Sequence, residues 1–151
     1  MSVPASVKVF GILHTIFGSF SAAIGLYNLF NFGNAIAVFE LVGFTKTGIV
    51  WLQISSIISF VAALVLLALG IGLLAKKPWA RSGAVIFGYV SIALNIFNAL
   101  VIVFTFPNRE STGTLFIAGA IAGAVLQSIY PVLTIFFMSR PAVKAALAHR
   151  G

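Results

Sequence analysis

The sequence contains no cysteine. This absence excludes disulfide bonds, thiol redox chemistry, cysteine-attached haem and every metal site built on thiolates. The two histidines, His14 and His149, lie at opposite ends of the chain. Because zinc needs three or four protein ligands close together, we expect neither a structural nor a catalytic zinc site, and we expect no cofactor.

Acidic residues are nearly as scarce, since Glu40 and Glu110 are the only two in the chain. Glycosidases need paired carboxylates, and phosphoryl transfer needs acids that hold metal ions. A nucleophilic Ser or Thr needs a base that a third group orients, and no glycine-rich phosphate loop is present either. We therefore expect no catalytic residues, and a part in an enzyme only as a non-catalytic subunit of a complex.

Apolar residues dominate what remains. Hydrophobic side chains make up 61% of the sequence, charged ones 7%, and the mean hydropathy is +1.16. These values lie outside the usual range of water-soluble proteins. Most of the sequence falls into four apolar runs, each at least about 20 residues long and so able to cross a hydrocarbon layer about 30 Å thick. The runs cover residues 7–30, 49–75, 83–106 and 115–138.

The sequence therefore predicts an all-α polytopic membrane protein, an antiparallel bundle of four transmembrane helices in a single membrane domain, residues 1–151. The segment 76–82 is too short for anything but an antiparallel hairpin, and Pro107 ends the third run before the loop 107–114. In the apolar segment 31–46, Asn34 as N-cap and Gly43 as C-terminal stop predict a separate interfacial helix. In the tail 139–151, Pro141 predicts the start of a basic amphipathic helix that lies on anionic lipid.

The basic residues predict the orientation of the bundle. If the N-terminus is inside, seven of the nine basic residues share that side: Lys8, Lys76, Lys77, Arg81, Arg140, Lys144 and Arg150. Short loops rich in Lys and Arg stay in the cytoplasm, so both termini are expected there. The net charge of +7 is then explained by topology and lipid phosphates, and we expect no nucleic-acid partner. We expect five residues at the membrane interface: Lys76, Lys77, Trp79, Arg81 and Arg140.

The segment 70–81, Gly-Ile-Gly-Leu-Leu-Ala-Lys-Lys-Pro-Trp-Ala-Arg, resembles the second hairpin turn of many uncharacterised small bacterial membrane proteins. The likeness covers this segment alone. It implies a multi-pass protein of the bacterial inner membrane and carries no activity with it.

Small and polar residues recur at alternating spacings of three and four in the apolar runs. The first and third runs align at an offset of 70, so that Ile16-Phe17-Gly18 matches Ile86-Phe87-Gly88. A heptad seam of small residues lets membrane helices approach closely, which predicts a compact left-handed bundle. The glycines assigned to helix packing are Gly18, Gly25, Gly88, Gly119 and Gly123.

Uncharged polar residues form a second pattern, because their depths place them in one column through the bundle. The column comprises His14, Ser21, Asn28, Gln53, Ser56, Ser91, Asn95, Asn98, Gln127 and Tyr130. It is either a water-lined path or ligand site that opens outward, or a set of interhelical hydrogen bonds that fix the packing. His14 is either a proton-linked pH sensor or a neutral side chain bonded to Tyr130 or to a backbone carbonyl.

Two functions follow from these patterns. The leading hypothesis is a non-enzymatic accessory or scaffold subunit that packs within a larger membrane assembly or a homo-oligomer. The alternative is a small channel or facilitator whose pore is lined by uncharged groups such as Asn28, Asn95, Asn98 and Gln127. In both cases the surrounding lipid bilayer is a partner.

Overall fold

The computed structural model describes residues 4–41, 43–105 and 111–148, apart from the side chains of residues 105, 111–113, 116 and 148. Its helices are α1 (Ala5–Leu41), α2 (Lys46–Leu74), α3 (Pro78–Thr105), α4 (Ser111–Met138) and α5 (Pro141–Ala148). The first four are long and apolar enough to cross a membrane, which confirms the predicted all-α class and four spans. Residues 106–110 and 149–151, and with them the predictions for Pro107, His149 and Arg150, lie outside the described residues.

The helix α1 is longer than predicted. It runs without a break for 37 residues, about 55 Å, so the prediction of a separate interfacial helix capped by Asn34 is wrong. The helix continues through this segment, where the Asn31 side chain donates to the Tyr27 carbonyl at 2.9 Å. A helical glycine costs about 1 kcal/mol relative to alanine, which is too little to end a helix supported along its length by a neighbour.

The turn from α1 to α2 follows the predicted stop at Gly43. This residue has φ of +92°, and its N–H donates to the Glu40 carbonyl at 3.1 Å. The N–H of Phe44 donates to the Phe39 carbonyl at 3.0 Å, which completes a Schellman motif. Thr45 then caps α2, because its hydroxyl accepts from the Gly48 N–H at 3.1 Å.

The turn from α2 to α3 is shorter than the predicted segment 76–82. The helix α3 already begins at Pro78, where the missing N–H and fixed φ suit a first helical position. Lys76 takes the position that usually holds glycine, with φ of 58°. Its N–H donates to the Leu73 carbonyl at 3.0 Å, and the Lys77 N–H donates to the Gly72 carbonyl at 2.9 Å.

Replacing Lys76 by glycine should stabilise the protein. A left-handed backbone costs a non-glycine residue about 1–2 kcal/mol, part of which the greater freedom of glycine in the unfolded chain cancels. We expect Lys76→Gly to raise the free energy of unfolding by about 0.5 kcal/mol, measured by detergent denaturation. Lys77→Gly removes the same charge outside the left-handed region and should not stabilise; an equal gain in both variants would contradict this account.

The closest helix pair is the antiparallel hairpin of α1 and α2. Glycines at every seventh position of α1 meet residues at every seventh position of α2: Gly11 against Leu74, Gly18 against Leu67 and Gly25 against Phe60. A seven-residue step keeps the same face of each helix in contact. The predicted heptad seam thus describes this helix pair.

The buried core lies at one end of the bundle. The apolar cluster there comprises Val7, Phe10, Leu73, Ala80, Ala84, Met138, Val143 and Leu147. We call this the basic end, because the antiparallel helices also place there Lys8, Lys76, Lys77, Arg81, Arg140 and Lys144. The opposite end, at the turn from α1 to α2, is the far end.

The tail helix α5 closes the basic end. Its Val143 and Leu147 are each 1% exposed, and both belong to the core cluster. The bundle itself therefore covers the apolar face of this helix, and the predicted contact with anionic lipid is left to its other face. The sequence pattern identified the amphipathic helix but did not reveal that a complementary apolar surface lay within the same chain.

The bundle is compact at the basic end and loosely packed over much of the remainder, although Phe32, Gly48 and Ile49 are buried near the far end. Among the described side chains, none is buried at positions 19–31 of α1, 50–62 of α2, 89–104 of α3 or 114–130 of α4. The prediction of a uniformly compact bundle is wrong for this part, where the helices leave cavities between them.

Candidate functional site

A cluster of aromatic side chains closes the basic end of the interior. His14 is fully buried, and its Nδ1 is hydrogen-bonded to the Tyr130 hydroxyl, which joins α1 to α4 and confirms the predicted pairing. Phe10 packs against both rings of this pair, Phe17 packs against Tyr130, and Phe137 packs against Phe10, with centroid distances of 5.1–6.3 Å. The Nε2 of His14 is buried and has no hydrogen-bond partner among the described residues.

The remaining polar residues lie between this aromatic cluster and the far end. Two cavities of about 270 Å³ and about 170 Å³ open between the helices. The first lies between α1 and α2, the second between α2, α3 and α4. Both are lined by Ser55 and Ser59, so we treat them as one polar cleft. Its polar members are Ser21, Asn28, Ser55, Ser56, Ser59, Ser91, Asn95, Asn98 and Gln127.

The structure therefore divides the predicted column. Seven of the ten predicted residues line the polar cleft: Ser21, Asn28, Ser56, Ser91, Asn95, Asn98 and Gln127. His14 and Tyr130 belong to the aromatic closure instead. Gln53 is exposed on the outer surface of α2 and lines neither cavity, because it lies on the opposite face from Ser55.

One hydrogen bond joins two of the helices that line the cleft. The indole Nε1 of Trp51 donates to Oδ1 of Asn98 at 2.9 Å, which joins α2 to α3 and leaves the Asn98 amide nitrogen free to donate. The hydroxyls of Ser55 and Ser56 donate to the Leu52 carbonyl at 2.9 and 2.8 Å. Their oxygens can therefore still accept a hydrogen bond from a molecule in the cleft.

The part of the cleft between α3 and α4 offers further hydrogen-bonding groups. The amides of Asn95 and Gln127 line it without a side-chain partner among the described residues. Pro131 lies within α4 and has no N–H, so the carbonyl of Gln127 loses its helical hydrogen bond. The cleft thus presents both donors and acceptors, and its described lining residues carry no charge.

Sequence reasoning missed Trp51, Ser55, Ser59 and Pro131. The first three are spaced by four, which places them on one helical face, and this spacing could have identified them. The signal at Pro131 was its position four residues after Gln127, where proline frees a carbonyl at membrane depth. The pairing of Trp51 with Asn98 had no signal in the sequence, because it depends on how α2 and α3 are aligned.

An apolar chamber adjoins the polar cleft toward the far end. It has a volume of about 540 Å³ and is lined by Val38, Phe39, Phe44, Leu52, Ile102, Leu115, Gly119 and Ala120. A further cavity of about 330 Å³ adjoins both, since it shares Phe39 and Leu52 with the chamber and Asn28 and Ser55 with the cleft.

The five glycines assigned to packing fall into two groups. A Cβ at Gly18 would lie 2.6 Å from the Leu67 nitrogen, one at Gly25 3.2 Å from the Phe60 ring, and one at Gly88 2.7 Å from the Ile135 side chain. These three lie where helices meet. Gly119 has no such neighbour within 4 Å, and Gly123 has only the Gln127 side chain of its own helix at 3.8 Å.

The residues assigned to the membrane interface surround the basic end. Trp79 is 56% exposed, on the first turn of α3. The Nε of Arg81 donates to the Met138 carbonyl at 2.8 Å and so caps the C-terminus of α4. The guanidinium of Arg140 lies 4.8 Å from the ring centres of both Phe136 and Phe137. Lys76 and Lys77 occupy the turn between α2 and α3.

The described residues include no group of three or more His, Asp or Glu that could hold a metal ion. Comparison with known proteins finds no matching family model, no matching curated protein and no matching solved structure.

Proposed function

We propose that this chain is a non-enzymatic multi-pass membrane protein that binds an uncharged, hydrogen-bonding molecule in its polar cleft. The single observation that carries the proposal is the convergence of amides and hydroxyls from all four long helices on adjoining cavities, where Asn95 and Gln127 have no hydrogen-bond partner among the described residues. Side chains that only fix helix packing bond to one another, as Trp51 and Asn98 do. Asn95 and Gln127 instead face open space.

The closure at the basic end favours binding over a continuous pore. A channel needs a polar path along its whole length, whereas below the cleft the His14–Tyr130 pair packs against the rings of Phe10 and Phe17. We therefore replace the facilitator hypothesis by a binding site that is closed on one side.

We propose further that both termini face the cytoplasm of a bacterial cell and that the protein lies in the inner membrane. The described basic residues support this orientation, because six of them share the basic end: Lys8, Lys76, Lys77, Arg81, Arg140 and Lys144. The cleft and the apolar chamber would then lie toward the periplasmic side.

Native mass spectrometry of protein extracted gently from its own membrane tests the binding. We expect the wild-type protein to retain a neutral small molecule, and Asn95→Leu to lose it, because leucine replaces the amide and intrudes into the cleft. The matched control is Gln53→Leu, the same kind of change at an exposed position outside the cleft, which should retain the molecule. If no retained compound distinguishes Asn95→Leu from Gln53→Leu, the proposed binding is wrong.

A second candidate function, an accessory or scaffold subunit, is favoured by the packing of α4. No described side chain of α4 between positions 114 and 130 is buried, and a Cβ added at Gly123 would meet no other helix within 4 Å among the described residues. Small residues on a free helical face are what close packing against another membrane helix requires. The same spectra separate the two functions, since a foreign subunit of defined stoichiometry would support the scaffold.

A further inference from the structure

The polar cleft lies next to the apolar chamber. The adjoining cavity shares Asn28 and Ser55 with the cleft and Phe39 and Leu52 with the chamber. A molecule that fills both must therefore combine a hydrogen-bonding end with an apolar body. The chamber volume of about 540 Å³ falls within the range of roughly 300–1,000 Å³ found for small-molecule sites.

We infer that the ligand is a neutral amphiphile, a molecule with one long apolar chain and a single uncharged hydrogen-bonding end such as a hydroxyl. The inference depends on the proposed function and specifies its ligand class. The polar end would bond the amides of Asn95 and Gln127, and the apolar chain would pass Leu52 into the chamber.

The chemistry of the lining excludes a charged end group. Among the described residues that line the cleft, the adjoining cavity and the chamber, none is Asp, Glu, Lys, Arg or His. A charge moved from water into such a site would lose its hydration and find no ion-pair partner. A hydroxyl or amide would instead satisfy side chains that are otherwise unpartnered.

Gly119 offers a way to block the chamber without disturbing the bundle. It lines the chamber, and a Cβ built there meets nothing within 4 Å. Gly119→Leu should therefore fill the chamber rather than push helices apart. Gly33 is the matched control, because it is also a helical glycine with open space around it but lines none of these cavities.

The experiment uses Trp51, which lines the cleft, as a fluorescent reporter. The chain has two tryptophans, so Trp79→Phe leaves Trp51 as the only one. The probe is 2-bromododecan-1-ol, added to the full chain in lipid nanodiscs. Its bromine lies beside the hydroxyl end, near Trp51, and quenches tryptophan at short range. We expect saturable quenching in the Trp79→Phe background, at least about tenfold weaker binding when Gly119→Leu is added, and no change when Gly33→Leu is added.

Competition decides the class of ligand. Dodecanol should displace the probe, whereas dodecane, which lacks the polar end, and dodecanoate, which is charged, should each compete at least about tenfold less well. Equal competition by dodecane or by dodecanoate would overturn the inference, as would quenching that Gly119→Leu leaves intact.

Failure of this inference and failure of the proposed function give different results. If the probe does not bind saturably but native mass spectrometry still detects a neutral compound that Asn95→Leu loses, the ligand is not a long-chain amphiphile and the binding cleft stands. If both experiments are negative, both proposals are wrong.

Discussion

The variant Gly18→Ala should destabilise the protein by about 2 kcal/mol or more, since added atoms in a packed contact cost about 1–3 kcal/mol and occasionally exceed that. The new Cβ would lie 2.6 Å from the nitrogen and 2.7 Å from the Cα of Leu67. These are backbone atoms, so α1 and α2 must separate. The measurement is the free energy of unfolding in a detergent denaturation series.

A second close contact between α1 and α2, made by a glycine of α2, gives an independent variant for the same measurement. A Cβ at Gly70 would lie 2.5 Å from the Thr15 nitrogen, so Gly70→Ala should be destabilised to a similar degree. The matched control is Gly33→Ala, where nothing lies within 4 Å and the better helix propensity of alanine should add up to about 1 kcal/mol. Equal unfolding free energies for Gly18→Ala and Gly33→Ala would contradict the close approach of the helices.

The variant Tyr130→Phe should cost about 1–3 kcal/mol of stability, the usual penalty for leaving a buried polar group without a partner. His14 is fully buried, and its Nε2 is already unpartnered among the described residues. Removing the Tyr130 hydroxyl takes away the hydrogen bond at Nδ1 as well. The matched control is Tyr27→Phe, since Tyr27 is 67% exposed and its hydroxyl should contribute little.

A double-mutant cycle tests whether the loss of stability in Tyr130→Phe comes from the His14–Tyr130 hydrogen bond. His14→Phe combined with Tyr130→Phe replaces both polar partners by apolar rings, which can be nearly neutral when the shapes are similar. We therefore expect the double variant to be less destabilised than the sum of the two single variants. Strict additivity would show that the His14–Tyr130 bond contributes nothing to stability.

Local signals account for the helix ends that were predicted correctly. Gly43 stops α1 because the turn needs a left-handed backbone, and Pro141 begins α5 because proline suits a first helical position. The same kind of signal failed at Asn34, which was predicted to begin a helix as its N-cap. A capping residue starts no new helix when the preceding helix continues through it with its backbone hydrogen bonds intact. Caps identify possible helix ends, and packing against a neighbour decides which of them are used.

The candidate site was predicted in composition but not in shape. Periodicity identified Asn95, Asn98 and Gln127 as facing inward, and the structure places all three at one cavity. It could not show that His14 and Tyr130 bond to each other in a separate closure while Asn95 and Gln127 stay unpartnered. That difference depends on how closely the helices approach at each depth, which sequence periodicity does not encode.

The sequence by itself determined the all-helical class, the number of helices long and apolar enough to cross a membrane, and the clustering of basic residues at one end of the bundle. Hydropathy, run length and the alternation of antiparallel helices are properties of the chain alone. The tertiary structure decided where the bundle is closed and where it is open. Glycines at Gly18 and Gly88 draw helices together, and α5 covers the basic end with Val143 and Leu147. The polar cleft and its apolar chamber remain where no such contact brings the helices together, and contacts between distant segments are what a linear pattern cannot specify.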